Sequence, residues 1–231
     1  MKNISPEQIT QLYTFTRQHF VEHYDLQTEL VDHLANGIEV SWQKNPELSF
    51  DDALQAEFKK FGIFGFMDVV ESRRRALSKK YNQIVWQHFT EFFSFPKIMA
   101  TLATIVGMFF LFKQIDFVRE ILVVSALMMT VFMIVKIQRN KRKFGESQKS
   151  DKKWLFEEIV FQYGDWLFFS TLPMQMLLHV PEAFFQTNLG ISIGVTMVSI
   201  FFLLAFVMVF IIPTQSEKYL QETYPEYKMV K

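Results

Sequence analysis

A short basic stretch between long apolar runs constrains this chain more than any other feature. It covers residues 136–153, KIQRNKRKFGESQKSDKK, and carries eight lysines or arginines against Glu146 and Asp151. Short cationic loops between apolar segments lie on the cytoplasmic side of a membrane. The stretch therefore predicts an integral membrane protein, and it fixes the orientation of the segments on either side.

Four apolar segments are long enough, or nearly long enough, to cross a bilayer, which takes about 20 residues. The first is short, but Lys97 and Lys113 at its ends can extend to the interface. The turns within each pair, residues 113–120 and 181–188, are nearly neutral, so the cations place both termini in the cytoplasm. We expect a multi-pass protein of the inner membrane with spans at residues 98–112, 117–137, 163–180 and 189–212.

The region before the spans is polar, and acids outnumber bases in residues 1–72. Apolar residues recur at helical spacing, and no strand-like alternation is present. Ser5, Asp25 and Ser49 are candidate helix caps, whereas Asn45 and Gly62 mark helix ends. These features predict short amphipathic helices that form a soluble domain.

The predicted fold class is all-α, a small cytosolic helical domain followed by a four-helix transmembrane bundle. The domain covers residues 1–80, a linker helix at the membrane interface covers 81–97, and a cytosolic tail covers 213–231. The alternative for residues 81–95 is a longer fourth helix that packs on its own domain. The N-terminus has no apolar core of a signal peptide, so the first span is expected to serve as the targeting signal.

Several function classes are disfavoured. The chain has no cysteine, which excludes disulfides, thiolate nucleophiles and cysteine-based zinc sites. It has none of the GxxxxGK[ST], GxSxG or GxGxxG patterns. The cations flank apolar segments and form no separate patch, so no direct binding of nucleic acid is expected. We expect a non-enzymatic protein without a cofactor.

The third span and the segment before it carry polar residues on one helical side. Ionisable groups inside a membrane span usually face a partner or a cavity, so a proton path, ion path or polar substrate site is one interpretation. The ordinary alternative places the ionisable groups at the two interfaces and the glutamines in interhelical hydrogen bonds. The candidate residues are Glu158, Gln162, Asp165, Gln175 and His179.

Gly190 and Gly194 form a small-xxx-small pair at the start of the fourth span. Small residues at this spacing let two helices approach closely. The pair is compatible with self-association and with packing inside one bundle.

Two polar clusters lie in the N-terminal region. His19 and His23 are four residues apart, with Glu22 nearby, and Glu29, Asp32 and His33 form the second cluster. Helical i, i+4 histidines can hold a metal, but no HExxH pattern is present. The ordinary alternative is pairing with neighbouring helices. We treat Glu29, Asp32 and His33 as a candidate cluster for a cytosolic interaction.

Several short motifs in the N-terminal region form a recognisable set: YDLQTELVDHL at 24–34, Trp42, NP at 45–46, LSF at 48–50, AL at 53–54 and FGIFGF at 61–66. In these motifs the region resembles a family of uncharacterised bacterial multi-span membrane proteins. The region also resembles, more loosely, the HAAS-type domain, whose proteins are often encoded beside PadR-type transcriptional regulators. The resemblance implies a helical cytosolic module and no catalytic residues.

These observations favour a regulatory or sensory membrane protein whose cytosolic module mediates protein–protein interaction. Expected partners are membrane lipid, a second copy of the chain and a cytosolic regulatory protein. The alternative is a small transporter or channel subunit that uses the polar side of the third span. A lipid-modifying enzyme with Asp165, His179 or the Glu29 cluster at the membrane surface has the least support.

Overall fold

A computed structural model describes residues 2–147, 152–162 and 172–229. Every regular element in these ranges is helical, which confirms the predicted all-α class. The chain divides into two compact units: the first comprises Met1–Ser78 with Gln148–Glu158, and the second comprises Lys79–Ser147 with Ile159–Lys231. The α-helices are α1 Pro6–Gln18, α2 Tyr24–Lys44, α3 Phe50–Lys59, α4 Met67–Glu91, α5 Lys97–Phe112, α6 Val118–Ser147, α7 Leu155–Gln162, α8 Leu172–His179, α9 Glu182–Phe185, α10 Asn188–Phe206, Ile212–Thr214 and α11 Ser216–Thr223.

Two of the predicted helix caps in the first unit are confirmed. The Ser5 hydroxyl accepts a hydrogen bond from the Gln8 N–H, and the Gln8 side chain accepts one from the Ser5 N–H. The Ser49 hydroxyl accepts from the Asp52 N–H at the start of α3. Each cap satisfies a backbone donor that would otherwise have no intrahelical partner.

The predicted cap at Asp25 is wrong. α2 begins after His23, which makes no side-chain capping bond, so Asp25 lies inside the first turn. Its carboxylate instead accepts the N–H of Leu155, the first residue of α7, at 3.2 Å. Asp25 thus serves the N-terminus of another helix, where a carboxylate is favoured by the free N–H groups and the helix dipole.

The core of the first unit is apolar and rich in aromatic rings. Leu12 of α1, Leu34 of α2 and Leu54 of α3 are buried. The rings of Phe15, Phe58, Phe61 and Phe66 pack against one another. We call these four residues the ring cluster. It holds α1, α3 and the turn before α4 to one another.

α4 is one continuous helix from Met67 to Glu91 and contributes residues to both units. In the second unit, Tyr81, Val85 and Phe89 are buried. The Lys80 ammonium donates to the Thr223 hydroxyl at 2.8 Å, and His88 Nε2 lies 2.5 Å from the Tyr219 hydroxyl. α4 thus continues past residue 80, as in the alternative of a longer fourth helix, but its second half packs on α11 of the second unit.

The basic stretch is not a loop throughout, because α6 continues as helix to Ser147. Lysine, arginine and glutamine are good helix formers, so they do not end a helix that an apolar segment has started. At the other end of α6, the Arg119 guanidinium donates to the carbonyls of Leu177 and Leu178 in the last turn of α8. This contact satisfies carbonyls that lack intrahelical donors.

The second unit has a compact apolar core shared by α6, α8, α9 and α10. Small residues allow the close packing at this point. A Cβ atom on Gly190 would overlap the carbonyl oxygen of Phe184, and one on Gly194 would lie 2.7 Å from a Leu122 methyl. Both glycines therefore pack within one chain. The buried core residues are Val118, Leu122, Ala126, Leu177, Phe185, Ile191 and Val195.

Helix α10 continues through a π-helical turn, Val207–Ile211, into Ile212–Thr214. Pro213 has no N–H to offer the Val209 carbonyl, and its ring would crowd that carbonyl in a regular α-helix. The wider turn, in which the Ile212 N–H bonds to the Val207 carbonyl, removes the conflict. The turn faces α6, where Phe132 stacks on Phe210 at 5.9 Å.

Two helices in the described ranges are long and apolar enough to cross a membrane, Val118–Asn140 and Asn188–Thr214. Their mean hydropathies are 2.2 and 3.0, and only 22% and 33% of their most apolar windows is buried. Their low burial is unlike that of the core helices of a soluble protein and is in keeping with association with a membrane. α5 is a shorter apolar helix, and residues 163–171 of the predicted third span lie outside the described ranges.

Gly190→Ala is expected to destabilise the second unit by about 1–3 kcal/mol, because the overlapped atom belongs to the backbone and cannot turn aside. Gly107→Ala is the matched control, since a Cβ there meets no atom within 4 Å. Replacing that helical glycine should stabilise by about 0.5–1 kcal/mol. Thermal unfolding of the purified protein in detergent separates the two. Equal shifts in Tm would contradict the close packing at Gly190.

Candidate functional site

The candidate site lies in the first unit, where residues 152–158 return to α2 after the chain has passed through α5 and α6. We call residues 152–158 the return segment. The Tyr24 N–H donates to the Lys153 carbonyl at 2.7 Å. The Trp154 ring packs on the Tyr24 ring, and the Lys152 ammonium lies 4.2 Å from the centre of that same ring.

The return segment and α2 cap each other. Tyr24 is the first residue of α2, and its N–H is satisfied by the Lys153 carbonyl. Leu155 is the first residue of α7, and its N–H is satisfied by Asp25 of α2. α2 thus supplies an acceptor for the free N–H of α7, and the residues before α7 supply one for the free N–H of α2.

A charged cluster completes the attachment. Glu158 Oε2 lies 2.8 Å from His23 Nε2, and Glu158 Oε1 accepts from Arg74 Nη2 at 3.2 Å. An ionised carboxylate can only accept hydrogen bonds, so His23 Nε2 carries the proton in this contact. His23 is only 6% exposed, whereas Arg74 reaches solvent. We call His23, Arg74 and Glu158 the clasp.

Hydrogen bonding from His23 is the largest cause that lowers the pKa of Glu158 below its ordinary value of 4.5. Burial of the carboxylate opposes this effect, and the neighbouring charge of Arg74 adds to it. A carboxylate with both oxygens engaged and a lowered pKa is a poor general base. It is well suited to hold two segments of chain together.

Sequence reasoning placed Glu158 and His23 in separate candidate groups and did not single out Arg74 as a site residue. Glu158 lies 135 residues from His23 and 84 from Arg74, so no local pattern joins them. The available signals were the acid at the start of α7 and the histidine before α2. Neither signal names its partner.

The polar side predicted for the third span is described only in part. Glu158 belongs to the clasp. Gln175 and His179 lie exposed on α8, where His179 Nδ1 is 2.7 Å from the Gln175 carbonyl oxygen. Asp165 and the side chain of Gln162 lie outside what the structure describes. A transport role for these residues stays a prediction.

The histidines of the two predicted polar clusters contact different partners in the first unit. His19 Nδ1 bonds to the Phe15 carbonyl at 2.8 Å, and the His33 ring packs on Phe61. Glu29 and Asp32 are exposed on α2. Among the residues that the structure describes, no three histidines or acids are grouped so as to hold a metal ion.

The second unit contains an apolar groove of about 740 Å³ between α5, α6 and α10. Its hydroxyl groups at Thr101, Thr104 and Ser125 donate to carbonyls of their own helices or the preceding turn. The groove therefore presents mainly apolar side chains, among them Ile105, Met108, Met128 and Phe202. Such a surface suits an acyl chain or another apolar group.

Comparisons of the chain with family models, with curated proteins and with solved structures find no match.

Glu158→Gln is expected to loosen the return segment, because it removes the charge that both His23 and Arg74 contact. We expect a loss of about 1–2 kcal/mol, with the exposure of Arg74 limiting the effect. Trypsin should cleave after Lys152 and Lys153 faster than in the wild type. Glu22→Gln is the control, since Glu22 is exposed and 3.5 Å from Lys153. An unchanged cleavage rate in Glu158→Gln would contradict the clasp.

The stability difference between the wild type and Glu158→Gln is expected to depend on pH. Since folding lowers the pKa of Glu158, its stabilising contribution is fully present above 4.5 and is lost as the pH falls through the lowered value. His23 and Arg74 are the charged or titratable groups that bond to it. The Tm difference between wild type and Glu158→Gln should therefore be present at neutral pH and shrink in acid below 4.5. A difference that grows in acid would contradict this assignment.

Proposed function

We propose that this protein is a regulatory or sensory protein of the bacterial inner membrane, anchored by several helices, whose first unit is a cytosolic module for protein–protein interaction. The clasp is the observation that carries the proposal. The clasp attaches the return segment, which follows the apolar helix α6 in the chain, to the rest of the first unit. Its three side chains contact one another and are not arranged for chemistry on a substrate.

The composition of α6 supports the membrane part of the proposal. Its apolar section, Val118–Asn140, exposes large side chains such as Leu127, Val131 and Phe132, which lipid would cover. Its C-terminal end carries Lys136, Arg139 and Arg142, as expected for the cytoplasmic end of a span. We propose four spans, with α5 and the segment that ends in α8 as the two others.

The path of the chain supports a sensory role. The chain connects the two units through α4 and again at each end of the return segment. A shift of α6 or of α8 along or across the membrane would therefore act on the return segment through covalent connections. Because the clasp consists of a few partly exposed contacts, a modest free energy can change how often it is closed.

The exposed acids of α2 support an interaction surface. Glu29 and Asp32 lie one turn apart on the exposed side, with His33 beside them. Such charges accelerate association with a basic partner and help to select it. The resemblance to HAAS-type domains is in keeping with a regulatory partner, because those domains accompany transcriptional regulators.

The proposal predicts that a Glu29→Lys and Asp32→Lys double variant loses its cytosolic partner. Full-length protein would be cross-linked in native membranes, captured and compared with the wild type by quantitative mass spectrometry. Glu47→Lys with Asp51→Lys is the control, because it changes the charge equally at two other exposed acids. Equal recovery from both variants would contradict a docking role for α2. A wild type that captures neither a partner nor another copy of itself would contradict the proposed function.

A further inference from the structure

Four large apolar side chains protrude from the first unit close to the ring cluster. Ile63 is 99% exposed, and Phe20, Phe64 and Met67 are exposed by 84%, 67% and 62%. We call these four residues the apolar tip. Large apolar side chains that protrude together from a soluble domain usually mark a contact surface.

The backbone is built to present these side chains. Phe20 has a φ of +65°, a left-handed conformation that residues other than glycine rarely adopt. Gly62 and Gly65, with φ of +77° and +55°, bracket Ile63 and Phe64. Strain at an exposed aromatic residue is a reason to look for a function, since it brings no burial in return.

Phe20 and the turn with Ile63 and Phe64 are both held in place by the ring cluster. His19, next to Phe20, packs its ring against Phe58 and Phe66 at 4.4 and 6.0 Å. The turn with Ile63 and Phe64 lies between Phe61 and Phe66, whose rings are 4.8 Å apart. The ring cluster therefore fixes the positions from which the apolar side chains project.

Cations flank the apolar tip along the chain. Arg17 precedes Phe20 by three residues, Lys59 precedes Ile63 by four, and both are exposed. Lys60 also reaches solvent but pairs with the buried carboxylate of Glu57 at 2.6 Å. Asp68, the residue after Met67, is an exposed acid. Apolar residues beside lysine and arginine suit an anionic lipid surface, which attracts the cations and receives the apolar side chains.

We infer that the apolar tip inserts into the headgroup region of the anionic bilayer that holds the apolar helices. This inference rests on the proposed membrane location, because anchoring keeps the first unit close to lipid at all times. A protruding turn that projects Ile63 almost fully and Phe64 by two thirds fits between lipid headgroups. The flanking cations commit the contact to an anionic surface.

The absence of cysteine in the sequence allows a direct test. The full-length protein would carry a single cysteine at Ile63→Cys, labelled with an environment-sensitive nitrobenzoxadiazole dye, in vesicles of phosphatidylcholine with phosphatidylglycerol. The dye emission should shift to shorter wavelength and be quenched by lipids with a nitroxide on the upper acyl chain. Substitution at Ile63 leaves the fold intact because that side chain is almost fully exposed.

Two further single-cysteine variants make the outcomes distinct. Asn36→Cys, at an exposed polar position of α2, should show neither shift nor quenching. Phe132→Cys, on the exposed side of α6, should be quenched if that helix lies in lipid. Quenching at Phe132 without quenching at Ile63 overturns the apolar-tip inference and leaves the membrane location standing. No quenching at Phe132 overturns the membrane location itself.

Other occupants of the apolar tip would also be detected. Rapid disulfide formation between two copies at Ile63→Cys, without lipid quenching, would identify a second chain as the occupant and overturn the inference. Equal quenching at Ile63 and Asn36 would do the same, because it would show no preference for the apolar tip.

The charge requirement has its own control. Lys59→Gln should reduce the emission shift at position 63 in vesicles with phosphatidylglycerol, whereas Lys44→Gln, at an exposed lysine of α2, should not. In vesicles of phosphatidylcholine alone, both variants should resemble the wild type. An equal effect of the two substitutions would contradict the role of the flanking cations.

Discussion

The exposed apolar sides of α6 and α10 are the constraint on which the rest of the structure depends. A helix satisfies its own backbone hydrogen bonds, so it can enter lipid without leaving peptide groups unpaired. Only 22% and 33% of the most apolar windows of Val118–Asn140 and Asn188–Thr214 is buried, and large side chains such as Leu127, Val131 and Phe202 are exposed. In water, each fully exposed large apolar side chain forgoes about 1.5–3 kcal/mol relative to burial. A non-aqueous surrounding removes that deficit, and this is the physical basis for proposing a membrane protein.

The first unit is built from two parts of the chain that lie on either side of apolar helices. The return segment separates two apolar regions, yet it packs on α2 through reciprocal helix caps, ring contacts and the clasp. Its buried Trp154, Leu155 and Phe156 make it part of that unit's core. The proposed sensory role rests on this connectivity, because the chain leads from the apolar helix α6 into a segment that packs within the first unit.

Local patterns in the sequence were enough to predict the helical class and several helix boundaries. Ser5 and Ser49 act as caps because their partners lie three residues away, within the reach of a local rule. Helices α5, α6 and α10 begin within one residue of predicted apolar spans, because a run of apolar residues can be recognised without knowing its neighbours in the fold. α6 then continues past its span to Ser147. Asp25 was misassigned for the opposite reason: its partner, Leu155, is 130 residues distant. The clasp has the same character, and only the folded chain brings it together.

The central claim is that the apolar helices cross a bilayer with the first unit on the cytoplasmic side. The most direct measurement is labelling of single cysteines with a membrane-impermeant maleimide in intact spheroplasts. Cysteines that replace Gln114 and Gln186, in the two predicted outer turns, should react in intact spheroplasts. Cysteines that replace Asn36 and Glu226 should react only after permeabilisation. The reverse pattern, or equal labelling at all four positions in intact cells, would contradict the account.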